Sequence, residues 1–225
     1  MKNRILVVSA HPDDEVLGVG GTIRKKVNQG NEAYCIIAAE GITSRNTKES
    51  AKELKKLHEQ TLKASKIIGY KKVFFLNLPD NRMDSINLLD IIKKIEEIIE
   101  KIKPQIVYTH DLSDLNIDHR ICFKAVMVAT RPTNGCCVNE IYTFETLSST
   151  EWQAKTNKIF QPNTYEDISN EIESKINALK EYKGEIRNYP HPRSERGVRI
   201  LAKYRGLESG LENAEAFCLI RRIIK

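Results

Sequence analysis

Short apolar segments alternate with longer amphipathic segments along most of the chain. The apolar segments have the length of buried strands, and turn-forming residues separate them from their neighbours. This alternation is typical of βαβ units, in which helices cover both faces of a mainly parallel sheet. We therefore predict a single α/β domain with strands at Ile5–Ser9, Tyr34–Ala38, Val73–Leu76, Ile106–Thr109 and Glu140–Phe144.

Helices are predicted where apolar residues recur at intervals of three and four positions. In Leu88–Ile102 the isoleucines and leucines share one face and charged residues lie between them, so we expect this helix to pack on the sheet. Thr164 precedes two acidic residues that would stabilise the first turn of a helix. The predicted helices are Glu15–Gln29, Lys48–Ile68, Leu88–Ile102, His119–Thr130, Tyr165–Tyr182 and Ser194–Tyr204.

Length and composition agree with one domain over residues 1–225. Hydrophobic residues make up 40% of the chain and charged residues 29%, which excludes disordered, collagen-like and disulfide-scaffold classes. No apolar run approaches the roughly 20 residues that span a bilayer, so we expect a cytoplasmic protein without a membrane span. The five cysteines form no Cys-x-x-Cys pair, and we expect them to be reduced. We predict that residues 164–225 form a C-terminal helical segment on the substrate side of the domain.

The net charge of +6 is concentrated near the C-terminus. Residues 183–225 contain 10 basic and 5 acidic residues, whereas residues 1–182 contain 26 and 25. No basic stripe is interleaved with aromatic residues, so we expect no nucleic-acid binding. A basic C-terminal segment favours a substrate that carries a phosphate or another anion.

Polar clusters follow three of the predicted strands. Two of them are His-Pro-Asp-Asp-Glu at 11–15 and Asp-Asn-Arg-Met-Asp at 80–84, and a longer one extends from His110 to His119. In an open parallel sheet, ligands bind beyond the carboxyl ends of the strands. The sequence therefore predicts that histidine and aspartate side chains from separate strands meet at one edge of the sheet.

His11, Asp14 and His119 are the candidate metal ligands in these clusters. Two imidazoles and one carboxylate commonly bind a catalytic zinc that keeps one position open, and the same set suits iron(II). His11 and Asp14 lie three residues apart across a strand-to-helix turn, which lets both face one ion. Asp13 would then serve as the general base. The alternative is that the aspartates only cap a helix and the histidines lie at the surface.

Three motifs together resemble a known family. They are the sequence at 11–15, Gly-Val-Gly-Gly-Thr at 18–22 and Asn-Ile-Asp-His at 116–119. This combination resembles the zinc-dependent LmbE-like deacetylases, also called the PIG-L family, and the resemblance extends over nearly the whole chain. It implies a Rossmann-like fold and hydrolysis of the N-acetyl amide of an amino sugar or a sugar-bearing compound.

The resemblance also assigns roles to single residues. It implies that His11, Asp14 and His119 bind zinc and that Asp13 is the general base. Many members of the family carry a histidine at the position of Asn116, where it is thought to stabilise the tetrahedral oxyanion. An asparagine amide can donate a hydrogen bond to that oxygen, but it cannot act as an acid.

The proton donor for the leaving amine is therefore an open question at this point. Asp13 could return the proton it has taken, or His191 could be brought in from the C-terminal segment. Asp118 is expected to orient a metal-bound histidine or the neighbouring backbone. The rival function is a module that binds metal and sugar without turnover.

The remaining candidates concern the substrate. We expect Arg82 and Asp84 to bind sugar hydroxyls, with Asp80 as a weaker candidate, and Arg193 to reach over the edge of the sheet to the substrate. The alternative for the Arg193 segment is a loop that prolines stiffen before the next helix. His110 fits a buried structural histidine as well as a site residue. The sequence leaves a homo-oligomer open.

Overall fold

The computed structural model describes residues 2–41, 50–133, 135–155 and 159–224. Within these ranges the strands are β1 (Arg4–Ser9), β2 (Glu32–Ala39), β3 (Tyr70–Leu78), β4 (Ile106–His110), β5 (Glu140–Phe144), β6 (Thr164–Asp167) and β7 (Ala214–Arg222). They form one sheet in the order β3-β2-β1-β4-β5-β7-β6. Strands β1 to β5 pair in parallel, and β7 pairs antiparallel with both β5 and β6.

Helices cover both faces of this sheet. They are α1 (Asp14–Leu17), α2 (Gly20–Asn28), α3 (Ser50–Ile68), α4 (Leu88–Ile102), α5 (Ile117–Ala129), α6 (Ile172–Lys180) and α7 (Glu195–Ser209). One apolar core lies between the sheet and α1, α2, α3, α6 and α7, and a second lies beneath α4 and α5. In β1, Ile5 and Val7 face the first core, while Leu6 and Val8 face the second. The strand is a continuous apolar run because both of its faces are buried.

Strand β1 lies where the strand order reverses. Strands β2 and β3 extend to one side of it, and β4 and β5 extend to the other. The chain leaves β1 and β4 at the same edge of the sheet because the two strands are parallel neighbours. The loops that follow them therefore meet in one crevice, which is the usual ligand position in this class of sheet.

The predicted fold class is confirmed. All five predicted strands are present, and they form the parallel part of a single α/β domain. Among the described residues, no helix combines the length and the apolar composition needed to cross a membrane.

The predicted helix Glu15–Gln29 is interrupted in the structure. Helix α1 ends at Leu17 and α2 begins at Gly20. A methyl group on Gly18 would lie 2.1 Å from Cδ2 of Phe144, so the chain passes too close to β5 for any side chain at this position. The glycine therefore allows close packing between the helix and the strand, and the continuous helix was a wrong prediction.

The predicted helix that begins at Tyr165 is wrong over its first residues. Thr164–Asp167 form the edge strand β6, and the helix begins only at Ile172. No strand was predicted at 214–222, where β7 supplies the hydrogen-bonding partner of β6. In the described part of this segment, residues 164–224, only α6 and α7 are α-helical. Pairing with a distant segment outweighed the local signal for a helix start.

The predicted helix Ser194–Tyr204 can be compared with the structure at both ends. Ser194, the first residue of the predicted helix, caps α7 by accepting a hydrogen bond from the backbone N–H of Gly197. The helix then extends to Ser209 and ends at Gly210, which has a φ of 72°. The predicted start of the earlier helix at Lys48 lies outside the described residues.

Candidate metal centre

His11, Asp14 and His119 meet at the carboxyl ends of β1 and β4. His11 follows β1, Asp14 is the first residue of α1, and His119 lies in the first turn of α5. Nδ1 of His11 lies 3.3 Å from Nε2 of His119 and 3.4 Å from Oδ2 of Asp14. Nε2 of His119 lies 3.3 Å from the same Asp14 oxygen. Three potential ligand atoms thus lie close enough together to bind one metal ion.

The chemistry of this group suits a divalent metal ion. Asp14 is fully buried, and its Oδ1 has no hydrogen-bond partner among the described residues. Burial opposes ionisation of Asp14, but the imidazoles of His119 and His110 outweigh it and hold the pKa of this carboxyl well below its ordinary value. A buried carboxylate with a free oxygen beside two imidazole nitrogens fits the donor set of zinc or iron(II).

Each of the two histidines has a carboxylate next to its second ring nitrogen. Nε2 of His11 lies 3.0 Å from Oδ2 of Asp118, and Nδ1 of His119 lies 3.0 Å from Oδ1 of Asp114. Each imidazole therefore turns one nitrogen toward the common point and the other toward a carboxylate. This arrangement fixes the orientation of a ligating histidine and increases its basicity.

The two supporting carboxylates are themselves held by the surrounding backbone and hydroxyls. Asp118 accepts hydrogen bonds from the backbone N–H groups of Asn81 and Met83. Asp114 accepts hydrogen bonds from the hydroxyls of Ser149 and Thr150. Sequence reasoning assigned no role to Asp114, although its position in the loop after β4 was a usable signal.

His110 is a buried histidine that also contacts one of the candidate metal ligands. Its Nε2 accepts a hydrogen bond from the backbone N–H of Ala10 at 2.9 Å, and its ring stacks on His119 with a centroid distance of 3.8 Å. Burial, together with the neighbouring His119, lowers the pKa of His110 to about 4. His110 is therefore neutral at neutral pH and supports the His119 ring from behind.

Asp13 lies beside the three candidate ligands but pairs with a different group. Its Oδ2 accepts a hydrogen bond from Nη1 of Arg193 at 2.8 Å, and the same guanidinium lies 3.5 Å from Glu185. Burial raises the pKa of Asp13 well above its ordinary value, and the Arg193 guanidinium opposes that shift. A buried carboxyl with a raised pKa is suited to accept and return a proton.

A cleft of about 260 Å³ opens over Asp13 and His11. The described residues that line it are His11, Pro12, Asp13, Gly41, Leu57, Asp80, Asn81, Asn116, Glu185 and Arg193. Asp80 is also close to the centre, since its Oδ1 lies 3.3 Å from Nε2 of His11. Of the charged residues among these, Glu185 alone was not predicted, because nothing in the local pattern links it to residues 11–14.

Asn116 lies on this cleft and also begins α5. Its Oδ1 accepts a hydrogen bond from the backbone N–H of Asp118, which makes it the N-cap of the helix. Its Nδ2 donates one hydrogen bond to Oδ1 of Asn81 at 2.9 Å. A primary amide has two hydrogens on nitrogen, so one remains for another acceptor.

Three predicted site residues belong neither to the group around the candidate ligands nor to the described residues that line the cleft. Arg82 and Asp84 are exposed on a short 3-10 turn after β3. His191 accepts a hydrogen bond from the backbone N–H of Arg193 and packs its ring edge-on against Trp152. The structure therefore brings His11, Asp13, Asp14, Asn116, Asp118, His119 and Arg193 together and leaves Arg82, Asp84 and His191 apart from them. The roles of all ten residues stay predictions.

Comparison with known proteins identifies the family. Residues 6–130, more than half of the chain, match the family model PIG-L, described as GlcNAc-PI de-N-acetylase. The chain belongs to the PIG-L family of deacetylases. The resemblance seen in the three sequence motifs is thus confirmed.

Relatives and solved structures extend this similarity beyond the family model. The uncharacterized deacetylase YaiS of Escherichia coli K12 is 31% identical over 185 residues, which cover 80% of this chain and 90% of YaiS. The diacetylchitobiose deacetylase of Thermococcus kodakarensis is 28% identical over 226 residues, which cover 94% of this chain and 81% of that protein. The structure of the N,N'-diacetylchitobiose deacetylase of Pyrococcus horikoshii superimposes with a TM-score of 0.80 at 20% identity, covering 97% of this chain and 84% of that one. This PIG-L member therefore shares its fold with a deacetylase.

Proposed function

We propose that this PIG-L protein is a metal-dependent enzyme that hydrolyses the N-acetyl amide of an amino sugar or a sugar-containing compound. One observation carries the proposal: ligand atoms of His11, Asp14 and His119 lie within 3.4 Å of one another, with Asp13 beside them on an open cleft. The name of the Thermococcus kodakarensis relative supports an acetylated sugar as the substrate.

His11, Asp14 and His119 would hold the metal, which we propose to be zinc, with iron(II) as the alternative. When bound, such an ion supplies a Lewis acid that polarises the amide carbonyl and activates water. Asp118 and Asp114 keep the two histidines in the orientation that presents one nitrogen to the ion.

The protein's own groups account for the proton transfers. Asp13 accepts a proton from the attacking water and returns it to the nitrogen of the departing amine. Asn116 can offer its second amide hydrogen to the carbonyl oxygen as negative charge develops on it. His191 is the weaker candidate for the acid, because its ring packs on Trp152 and it is not among the described residues of the cleft.

The charge of the cleft favours a neutral sugar. Asp13, Asp80 and Glu185 line it, and Arg193, the one lysine or arginine among the described lining residues, already contacts two of these carboxylates. Of the basic residues of the C-terminal segment, Arg193 is the one among the described lining residues, and Arg199, Arg205 and Arg222 pair with carboxylates elsewhere. We therefore propose an uncharged N-acetylated sugar in place of the anionic substrate that the net charge suggested.

The test is metal content together with amine release by the purified protein. N-acetylglucosamine, N,N'-diacetylchitobiose and a nucleotide-linked N-acetylglucosamine would be compared before and after chelation and zinc replacement. We expect about one metal ion per chain and chelation-sensitive amine release, with the uncharged sugars preferred. Metal and sugar binding without amine release would support the rival binding module.

Asp13→Asn then tests the proposed general base. The substitution keeps the size of the side chain but removes its ability to take a proton, so we expect amine release to fall by roughly 10²–10⁴-fold with metal content unchanged. Asp90→Asn is the matched control, because Asp90 is exposed on α4. Unchanged turnover in Asp13→Asn would contradict the assignment of the base.

A further inference from the structure

Glu15 is the last residue of the motif at 11–15, and the reaction described above gives it no task. The side chain is 1% exposed, which is unusual for a carboxylate. Its Oε2 accepts a hydrogen bond from the backbone N–H of Asp13 at 3.0 Å, and its Oε1 accepts one from the hydroxyl of Tyr182. Tyr182 is fully buried and lies two residues after α6. The buried pair of Glu15 and Tyr182 thus connects the segment after α6 to Asp13.

The backbone of Asp13 has a conformation that side chains rarely adopt. Its φ is 102°, in the left-handed region that favours glycine. Such strain persists only where the surroundings hold the residue in place, and it concentrates at functional sites. The Asp13 carbonyl accepts hydrogen bonds from the N–H groups of Val16 and Leu17, and the Asp13 N–H is held by Glu15.

We propose that Glu15 and Tyr182 are positioning residues that hold Asp13 in this conformation and so direct its carboxylate toward the reacting atoms. Glu15 fixes the Asp13 amide, and Tyr182 fixes Glu15. Arg193 holds only the far end of the side chain, so it cannot set the backbone by itself. This inference rests on the proposed function, because it takes Asp13 to be the general base.

A positioning role and a merely structural role predict different results. If Tyr182 only filled the core, its hydroxyl would affect stability and leave turnover of the folded enzyme unchanged. If it acts through Asp13, losing the hydroxyl lowers kcat while KM and metal content stay the same. The loss must also disappear when Asp13 can no longer act as a base, because residues that act through one group are not additive.

The first experiment measures kcat, KM and metal content for Tyr182→Phe, with and without Asp13→Asn. We expect kcat to fall about 10-fold in the otherwise native protein, the size typical of groups that orient a catalytic residue, and no further fall in the Asp13→Asn protein. Tyr108→Phe is the matched control, since this buried tyrosine of β4 stacks on Tyr142. An unchanged kcat in Tyr182→Phe, or an equal loss in both backgrounds, would overturn the proposal.

A second measurement does not depend on turnover. The Asp13 amide should exchange with solvent deuterium at least about 10-fold faster in Glu15→Gln and in Tyr182→Phe than in the native metal-loaded protein, because the hydrogen bond that protects it is weakened. If Tyr182→Phe does not fold, the same kinetic, metal and exchange measurements are made on Glu15→Gln. Exchange that stays at the native rate in both variants contradicts the positioning role.

The two readouts separate this inference from the proposed function. Absence of amine release by the native protein from every sugar tested would refute the proposed function, whereas exchange of the Asp13 amide would still report whether Glu15 and Tyr182 hold it.

Discussion

The two sides of Asp13 are built from different parts of the chain. The metal side consists of His11, Asp14 and His119, which follow neighbouring parallel strands. The C-terminal side consists of Tyr182 and Arg193, which lie near the two ends of the connection between α6 and α7. The metal side is fixed by short motifs at the end of β1 and the start of α5, whereas the C-terminal side depends on how distant helices pack. Metal binding and proton transfer should therefore be separable by mutation.

Breaking the metal side should have the largest effect. His119→Ala removes one candidate ligand, so we expect metal content well below one ion per chain and amine release reduced by at least about 10³-fold. Metal analysis of the purified variant and an amine-release assay measure both. His58→Ala is a suitable control, because His58 lies on α3 and packs against Phe75 of β3. Full metal content in His119→Ala would refute the assignment of this ligand.

Breaking the C-terminal side should reduce turnover and leave the metal in place. Arg193→Ala removes the charged hydrogen bond to Asp13, and we expect kcat to fall roughly 10- to 100-fold, as expected for loss of a charge-assisted bond. Arg196→Ala is the matched control, since Arg196 is exposed and packs over the ring of Tyr189. Loss of metal from Arg193→Ala would show that the two sides are not independent.

A finer test of the metal side concerns the carboxylate behind His119. Asp114→Asn keeps a hydrogen-bond acceptor near Ser149 and Thr150 but removes the negative charge beside the imidazole. We expect metal affinity to weaken about 10-fold, at the lower end for such supporting groups, with full activity at saturating metal. Competition with a metal-binding dye measures the affinity. An affinity equal to that of the native protein would show that Asp114 only stabilises the surrounding loops and does not support the metal site.

We expect the smallest effect on turnover from a substitution that disturbs the packing of the chain against β5. In Gly18→Ala the new methyl group meets Phe144 at 2.1 Å, so we expect a loss of about 1–3 kcal/mol in stability from overpacking, with turnover of the folded protein little changed. Thermal unfolding of Gly18→Ala and of Gly184→Ala gives the comparison, because a methyl group at Gly184 meets nothing within 4 Å. Equal stability of the two variants would contradict the close packing.

The sequence by itself was enough to predict the parallel core and the metal side. Each of the five parallel strands is an apolar run, and a parallel sheet brings the ends of neighbouring strands to one edge. Two polar clusters that follow β1 and β4 had to meet there. The proximity of His11, Asp14 and His119 therefore followed from local pattern and strand direction.

Only the tertiary structure decided the C-terminal side. Strand β6 lies where a capped helix was predicted, because its partner β7 is far away in sequence and no periodicity in 164–167 reveals that pairing. The contacts of Tyr182 with Glu15 and of Arg193 with Asp13 join residues 167 and 180 positions apart. Such contacts depend on how α6 and α7 pack on the sheet, and side-chain pairing over that distance leaves no mark on the local pattern of either segment.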